Sequence, residues 1–138
     1  MILEVRTVEP FYKNGFVVGC ERTHEAVLID PGDEVDQLVE IIHERKLEIR
    51  YILLTHAHID HITGVQTAKD KFNVPIYLHR DDLFLYESVV QQGAMFGIHA
   101  EALPPIDRFY DSSLIHFGDY EVCIHHTPGH CPGGVCLQ

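Results

Sequence analysis

Apolar and polar side chains alternate through three early stretches of the chain, residues 2–8, 16–20 and 26–29. Such alternation puts successive side chains on opposite faces of an extended strand. Asn14-Gly15 and the polar stretch 21–25 separate the three and are turn-prone, so the pattern predicts an antiparallel meander. The period changes after Asp30-Pro31-Gly32. Val35, Leu38, Val39 and Ile42 then recur at helical spacing, which predicts an amphipathic helix over 34–46 with Glu44-Arg45-Lys46 on its solvated face.

Residues 49–54 (IRYILL) form a nearly continuous apolar run, as expected of a central strand buried on both faces. The polar stretch THAHIDHITG follows, then a second helix to about residue 72, a strand at 75–78 and renewed helical spacing over 81–91. Segment 93–111, with adjacent Pro104 and Pro105, reads as an irregular excursion, and a loop of that length in a compact domain is usually functional or mobile. A last hairpin, 114–117 with 120–125, leads into HTPGHCPGG. A meander followed by strands interleaved with helices predicts an α/β layered protein with a mixed sheet.

A length of 138 residues suits one domain. Ten basic residues against 21 acidic ones give a net charge of −11, with no Lys/Arg cluster, which argues against nucleic-acid and anionic-membrane partners. No apolar run is long enough to span a bilayer, and the N-terminal stretch MILEVRTVEP lacks the features of a signal peptide. Cys20, Cys123, Cys131 and Cys136 form no CxxC pair and are expected as reduced thiols, consistent with a cytoplasmic location. The anomaly is histidine, at 11 residues several times its ordinary usage.

The chemistry concentrates in Thr55-His56-Ala57-His58-Ile59-Asp60-His61, directly after the most apolar strand. Residues two apart in extended backbone point the same way, so His56, His58 and Asp60 converge from one loop while His61 turns aside as the next helix begins. One loop thus offers ligands to two adjacent metal ions: imidazoles suited to zinc or iron, and a carboxylate with a further imidazole for a second ion. A third ligand for the first ion must come from elsewhere, and His130, in a loop fixed by Pro and Gly, is the candidate. Cys131 beside it could ligate as a thiolate but is expected to be a small buried thiol. His79 at a strand end could line the cleft, and His99 could contact substrate. His24, His43 and His116 are expected in solvent, and one of His125 and His126 is expected to pack inward.

With these motifs in place, the chain resembles the metallo-β-lactamase-fold superfamily, and within it the hydroxyacylglutathione hydrolase (glyoxalase II)-like bacterial proteins. The resemblance runs from the opening meander through Asp30-Pro31-Gly32 and THAHIDH to the TPGH loop. It implies that His56, His58 and His130 hold the first metal, Asp60 and His61 the second, and that Asp30 buttresses the ligand loop. It also implies an αββα sandwich, of which residues 1–138 are the N-terminal part of a single domain: the first αβ half, a mixed sheet with helices on its outer face. The family's later half supplies a bridging carboxylate and a last histidine, both absent here. The uncovered sheet face would then expose hundreds of Å² of apolar surface and pair with the missing half or in a dimer.

The function implied is a metal-dependent hydrolase acting on a small molecule, a glutathione thioester foremost, through a metal-activated hydroxide that Asp60 ligates and orients. Zinc, as one or two ions, is the expected cofactor, with iron or manganese as alternatives. A mononuclear-iron persulfide dioxygenase or a lactonase of the same fold remains open, as does a non-catalytic metal-binding or pairing module.

Overall fold

The computed structural model of the chain describes residues 1–8 and 13–138. Strands β1 (Ile2–Val8), β2 (Lys13–Gly19) and β3 (Glu25–Ile29) form the antiparallel meander that the alternation predicts. Asn14 and Gly15 lie within β2 rather than in a turn, Gly15 pairing with Arg6. Glycine is required there because a Cβ would meet Glu34 Oε1 at 1.8 Å.

Helix α1 (Val35–Glu44) carries the chain from β3 to β4 (Glu48–Leu53), and α2 (Val65–Phe72) carries it from β4 to β5 (Ile76–Leu78). Both crossovers leave the flanking strands parallel, as helical connections do. The result is one sheet in the order β1-β2-β3-β4-β5-β6, its far edge the two-residue strand β6 (Arg108–Phe109). That strand lies inside the stretch expected to be irregular, since two residues are too few to show a period.

The register of β3 against β4 jumps at Ala26/Val27, which pair with Ile49 and Tyr51 and leave Arg50 as a bulge beside Glu25. Beyond it the strand is buried on both faces. Ile52 and Leu54 pack with Leu28, Leu38 and Ile42 under the helices, while Leu53 packs with Val27 on the opposite face. Each such fully buried aliphatic side chain contributes about 1.5–3 kcal/mol.

The second face is not bare, contrary to the expectation. Strands β7 (Ile115–Phe117) and β8 (Tyr120–Val122) form the hairpin foreseen near the C-terminus, and Ile115, Phe117 and Val122 cover Val27 and Leu53. The hairpin stops at Val122, short of residue 125. The chain then forms β9 (Ile124–His126), paired with β10 (Val135–Leu137), a strand the apolar pattern did not reveal. The single helix expected over 81–91 is two: α3 (Leu83–Glu87) and α4 (Val89–Met95). They meet at Ser88, whose hydroxyl donates to Phe84 O at 2.6 Å, the back-bonding that disturbs a helix.

Candidate metal centre

The histidine loop leaves the carboxyl end of β4, where the sheet gives rigid placement. Ala57 and Ile59 are buried at 0% and 2% exposure, so the alternate residues His56, His58 and Asp60 turn the other way together. A single 3-10 turn at Ile59–His61 then brings His61 back beside His56, with ring centroids 4.0 Å apart. His130 arrives from the β9–β10 loop. Its ring lies 5.4 Å from that of His56 and 4.5 Å from that of His58, and His56 and His58 are 5.1 Å apart. One ligand atom from each of His56, His58, His130 and Cys131 falls within 4.8 Å of the others. The three histidines, Asp60 and His61 line a cavity of about 300 Å³ that Ile59, Gln92 and Phe96 complete.

Asp30 organises the back of the site. It ends β3 with φ +50°, a left-handed conformation that Asp tolerates, and is 2% exposed. Its Oδ1 accepts the Thr55 N–H at 2.7 Å, and its Oδ2 accepts the Thr55 hydroxyl at 2.5 Å. With that hydroxyl proton committed, the contact of Thr55 Oγ1 with His56 Nδ1 at 3.0 Å makes the ring N–H the donor. His61 Nδ1 donates to the same Asp30 oxygen at 3.0 Å. Both rings are therefore left with Nε2 as the free lone pair, the tautomer that a buttressing carboxylate imposes on ligating histidines. His61 Nε2 faces Asp60 Oδ2 at 3.5 Å.

Burial, followed by the neighbouring His61, pushes the His56 imidazolium down to about 4. Burial and then His130 lower His58 as well. These rings are neutral at pH 7, with lone pairs turned into one cavity, and that donor set fits a divalent cation. Burial, followed by Asp82, raises the Cys131 thiol to about 11, so Cys131 is protonated at neutral pH. Its Sγ lies 3.3 Å from His58 Nε2 and it is 1% exposed, in keeping with the buried thiol expected.

Three further residues hold the loop, and none stood out in the sequence. Asp82 is fully buried and accepts the Ala57 N–H at 2.9 Å. Gln92 Oε1 accepts the Ile59 N–H at 3.1 Å, and its Nε2 donates to Ala57 O at 3.0 Å. Val135 N–H donates to Thr55 O at 2.9 Å. Asp82 follows Asp81 in an ordinary helix-start pattern, and Gln92 is one of two adjacent glutamines, so only the tertiary fold distinguishes them.

The remaining histidines fall outside the cluster. His79 stacks on His126 with centroids 3.9 Å apart and accepts the Asp81 N–H, and His79, Asp81 and His126 form a separate group. His99 is exposed on a different cavity, one shared with Asp33 and Thr63, and does not reach the site. His24, His43 and His116 are in solvent. Both His125 and His126 are exposed, against the expectation that one packs inward: β9 and β10 form a separate two-stranded ribbon, in which His126 meets the His79 ring at the surface and His125 meets Gln138.

Residues 8–138 match the family model of the metallo-beta-lactamase superfamily. The chain belongs to that superfamily. It is 32% identical to the hydroxyacylglutathione hydrolase GloC of Haemophilus influenzae, over 98% of this chain and 65% of that protein. Among solved structures, the BLEG-1 B3 metallo-beta-lactamase superposes with a TM-score of 0.86 at 29% identity, covering 99% of this chain and 66% of that one. TTHA1623 in a di-iron-bound form superposes with a TM-score of 0.84 at 33% identity, covering 98% and 66%. The chain thus spans just under two thirds of the length of these superfamily members. Among the described residues no helix is long and apolar enough to cross a membrane.

Proposed function

We propose that the chain is the N-terminal part of a metal-dependent hydrolase whose metal is held by His56, His58 and His130, with thioester hydrolysis as its reaction. The observation that carries the reading is the convergence of three imidazoles, His56, His58 and His130, from two loops on one cavity of about 300 Å³. Zinc is the foremost cation for such a donor set, and the di-iron form of TTHA1623 keeps iron in view. A cation held there supplies Lewis acidity toward a carbonyl and lowers the pKa of a water.

This chain's own residues would do the rest. Asp60, half-buried at the cavity wall, accepts a hydrogen bond from the attacking water through a carboxylate oxygen and so orients it. Asp60 and His61 are also the start of a second cation site, to be completed by the remainder of the domain, in the same polypeptide or in a partner. Phe96 and Ile59 give the cavity an apolar side for an acyl group. The likeness to GloC, 32% identical over 98% of this chain, supports a thioester as the substrate. A cytoplasmic location fits a substrate built on glutathione.

The test is thiol release from S-lactoylglutathione by the chain and by the chain extended with the rest of the domain, with metal content assayed in parallel. Turnover by the extended form, lost in His58→Ala together with stoichiometric metal but retained in His43→Ala, is the expected result. Metal retained in His58→Ala overturns the ligand assignment. A metal-loaded extended form that leaves the thioester intact overturns the substrate, and sulfite formation from glutathione persulfide by an iron-loaded form would identify the dioxygenase instead.

A further inference from the structure

We infer that Asp82 is a positioning residue that fixes the distance between the two loops carrying the proposed metal ligands. The inference rests on the metal-site reading above and deepens it. The ligands come from stretches more than seventy residues apart: His56 and His58 after β4, and His130 between β9 and β10. Asp82, just ahead of α3, reaches both. Its Oδ2 accepts from the N–H of Ala57, the residue between His56 and His58, at 2.9 Å. Its Oδ1 accepts from the N–H of Gly133, three residues after His130, at 2.7 Å. One carboxylate therefore spans the gap with an oxygen on each loop, and its negative charge makes both bonds stronger than neutral ones.

Two observations show that the fit is built. Asp82 is 0% exposed, so its charge is stabilised by what it accepts rather than by water. Gly133 has no room for a side chain, since a Cβ would lie 2.6–2.9 Å from the backbone nitrogen, Cβ and Cγ of Asp82. The loop is seated directly on the carboxylate.

Rotating either loop by a fraction of an ångström would carry His130 off the point that His56 and His58 share, so loss of the tie should appear in metal affinity and ligand geometry. The experiment uses Co(II) as the probe, titrated into the metal-free chain and its variants, with d–d absorption reporting coordination and calorimetry reporting affinity. Asp82→Asn keeps the shape but can accept only one of the two N–H groups. Its affinity should fall about 10- to 100-fold, the usual loss for outer partners of a metal site, with an altered d–d spectrum. Val89→Ala, a core change far in sequence from every proposed ligand, is the stability control and should bind Co(II) as the unaltered chain does. Should Asp82→Asn fail to fold, Gly133→Ala probes the same contact from the other loop and is expected to weaken binding comparably.

Unchanged affinity and spectrum in a folded Asp82→Asn, or in Gly133→Ala where that is the variant read, overturns the inference while leaving the metal site standing. Equal loss in Val89→Ala also overturns it, by showing general destabilisation. No Co(II) binding by the unaltered chain, or binding unaffected by His58→Ala, defeats the metal-site reading itself and this inference with it.

Discussion

Asp30 Oδ2 lies 3.0 Å from His61 Nδ1, and the same oxygen accepts the Thr55 hydroxyl that in turn receives the His56 ring N–H. A single carboxylate at the end of β3 thus sets the tautomers of two histidines in the next loop. Asp30→Ala should leave the Thr55 N–H without a partner and both rings free to turn, at about 1–3 kcal/mol for each buried donor stranded. Asp30→Asn retains one oxygen and the tolerance for positive φ and should lose less. Urea denaturation of the metal-free chain checks the order. Equal stability of the alanine and asparagine variants would contradict the role given to the oxygens.

Much of this was legible in the sequence. Alternation located β1 to β3, a continuous apolar run located β4, helical spacing located α1, with α2 and β5 placed in order after them, and the i, i+2 spacing of His56, His58 and Asp60 described their common direction. What failed to show is instructive. Strands β6 and β10 carried no pattern and exist because a neighbour offers hydrogen bonds, and the expected strand 120–125 divides at Cys123 into β8 and β9 because each half has its own partner. Asn14-Gly15 carried a turn signal that Glu34, packed over Gly15, overrode. Lys13, Glu34, Asp82 and Gln92 look like surface residues in sequence, and only the fold buries or engages them. The cover over Val27 and Leu53 is likewise a tertiary fact, supplied by Ile115, Phe117 and Val122 of a hairpin far downstream of both.

Lys13 and Glu34 form an ion pair at 4% and 0% exposure, and Lys13 also donates to Asp30 O. Glu34 Oε1 accepts the Gly32 N–H, so the pair braces the Asp30-Pro31-Gly32 turn behind the site. Removing one partner of a buried pair strands the other charge. Lys13→Met alone should therefore cost about 3–5 kcal/mol, and adding Glu34→Gln should recover part of that loss. Denaturant midpoints of the two single variants and the double variant give the coupling, and strictly additive losses would show that the pair does not act as one.

Gly32 and Gly64 mark where the site's supporting segments touch backbone to backbone. A Cβ on Gly32 would meet Asp60 O at 2.3 Å, and one on Gly64 would meet Gly32 O at 2.3 Å. Neither oxygen can rotate away as a flexible side chain could. Each alanine substitution should destabilise by about 1–3 kcal/mol, the usual cost of overpacking. Gly32→Ala should in addition displace Asp60, so it should impair thioester turnover of the extended form more than Gly64→Ala does. A Gly32→Ala enzyme with full turnover would show that Asp60 does not depend on this contact.

The metal-free chain should lose stability as the solution becomes mildly acidic. His56 titrates at about 4 in the folded state because burial and the neighbouring His61 disfavour its charge, whereas an unfolded histidine titrates near 6.5. The folded pKa is the lower one, so between these values the unfolded chain binds more protons and stability rises with pH. The contribution is therefore complete above about pH 6.5 and is lost as pH falls toward 4. His58, lowered by burial and His130, acts in the same direction. One such group gives a slope of at most about 1.4 kcal/mol per pH unit, reduced here because His56 is only partly buried. Urea midpoints in the presence of a chelator, from pH 7.5 to 4.5, should decline through this window, and His56→Gln should flatten the decline. A midpoint that stays level from pH 7 to 5, or a His56→Gln profile as steep as that of the unaltered chain, would contradict a neutral, cation-ready His56.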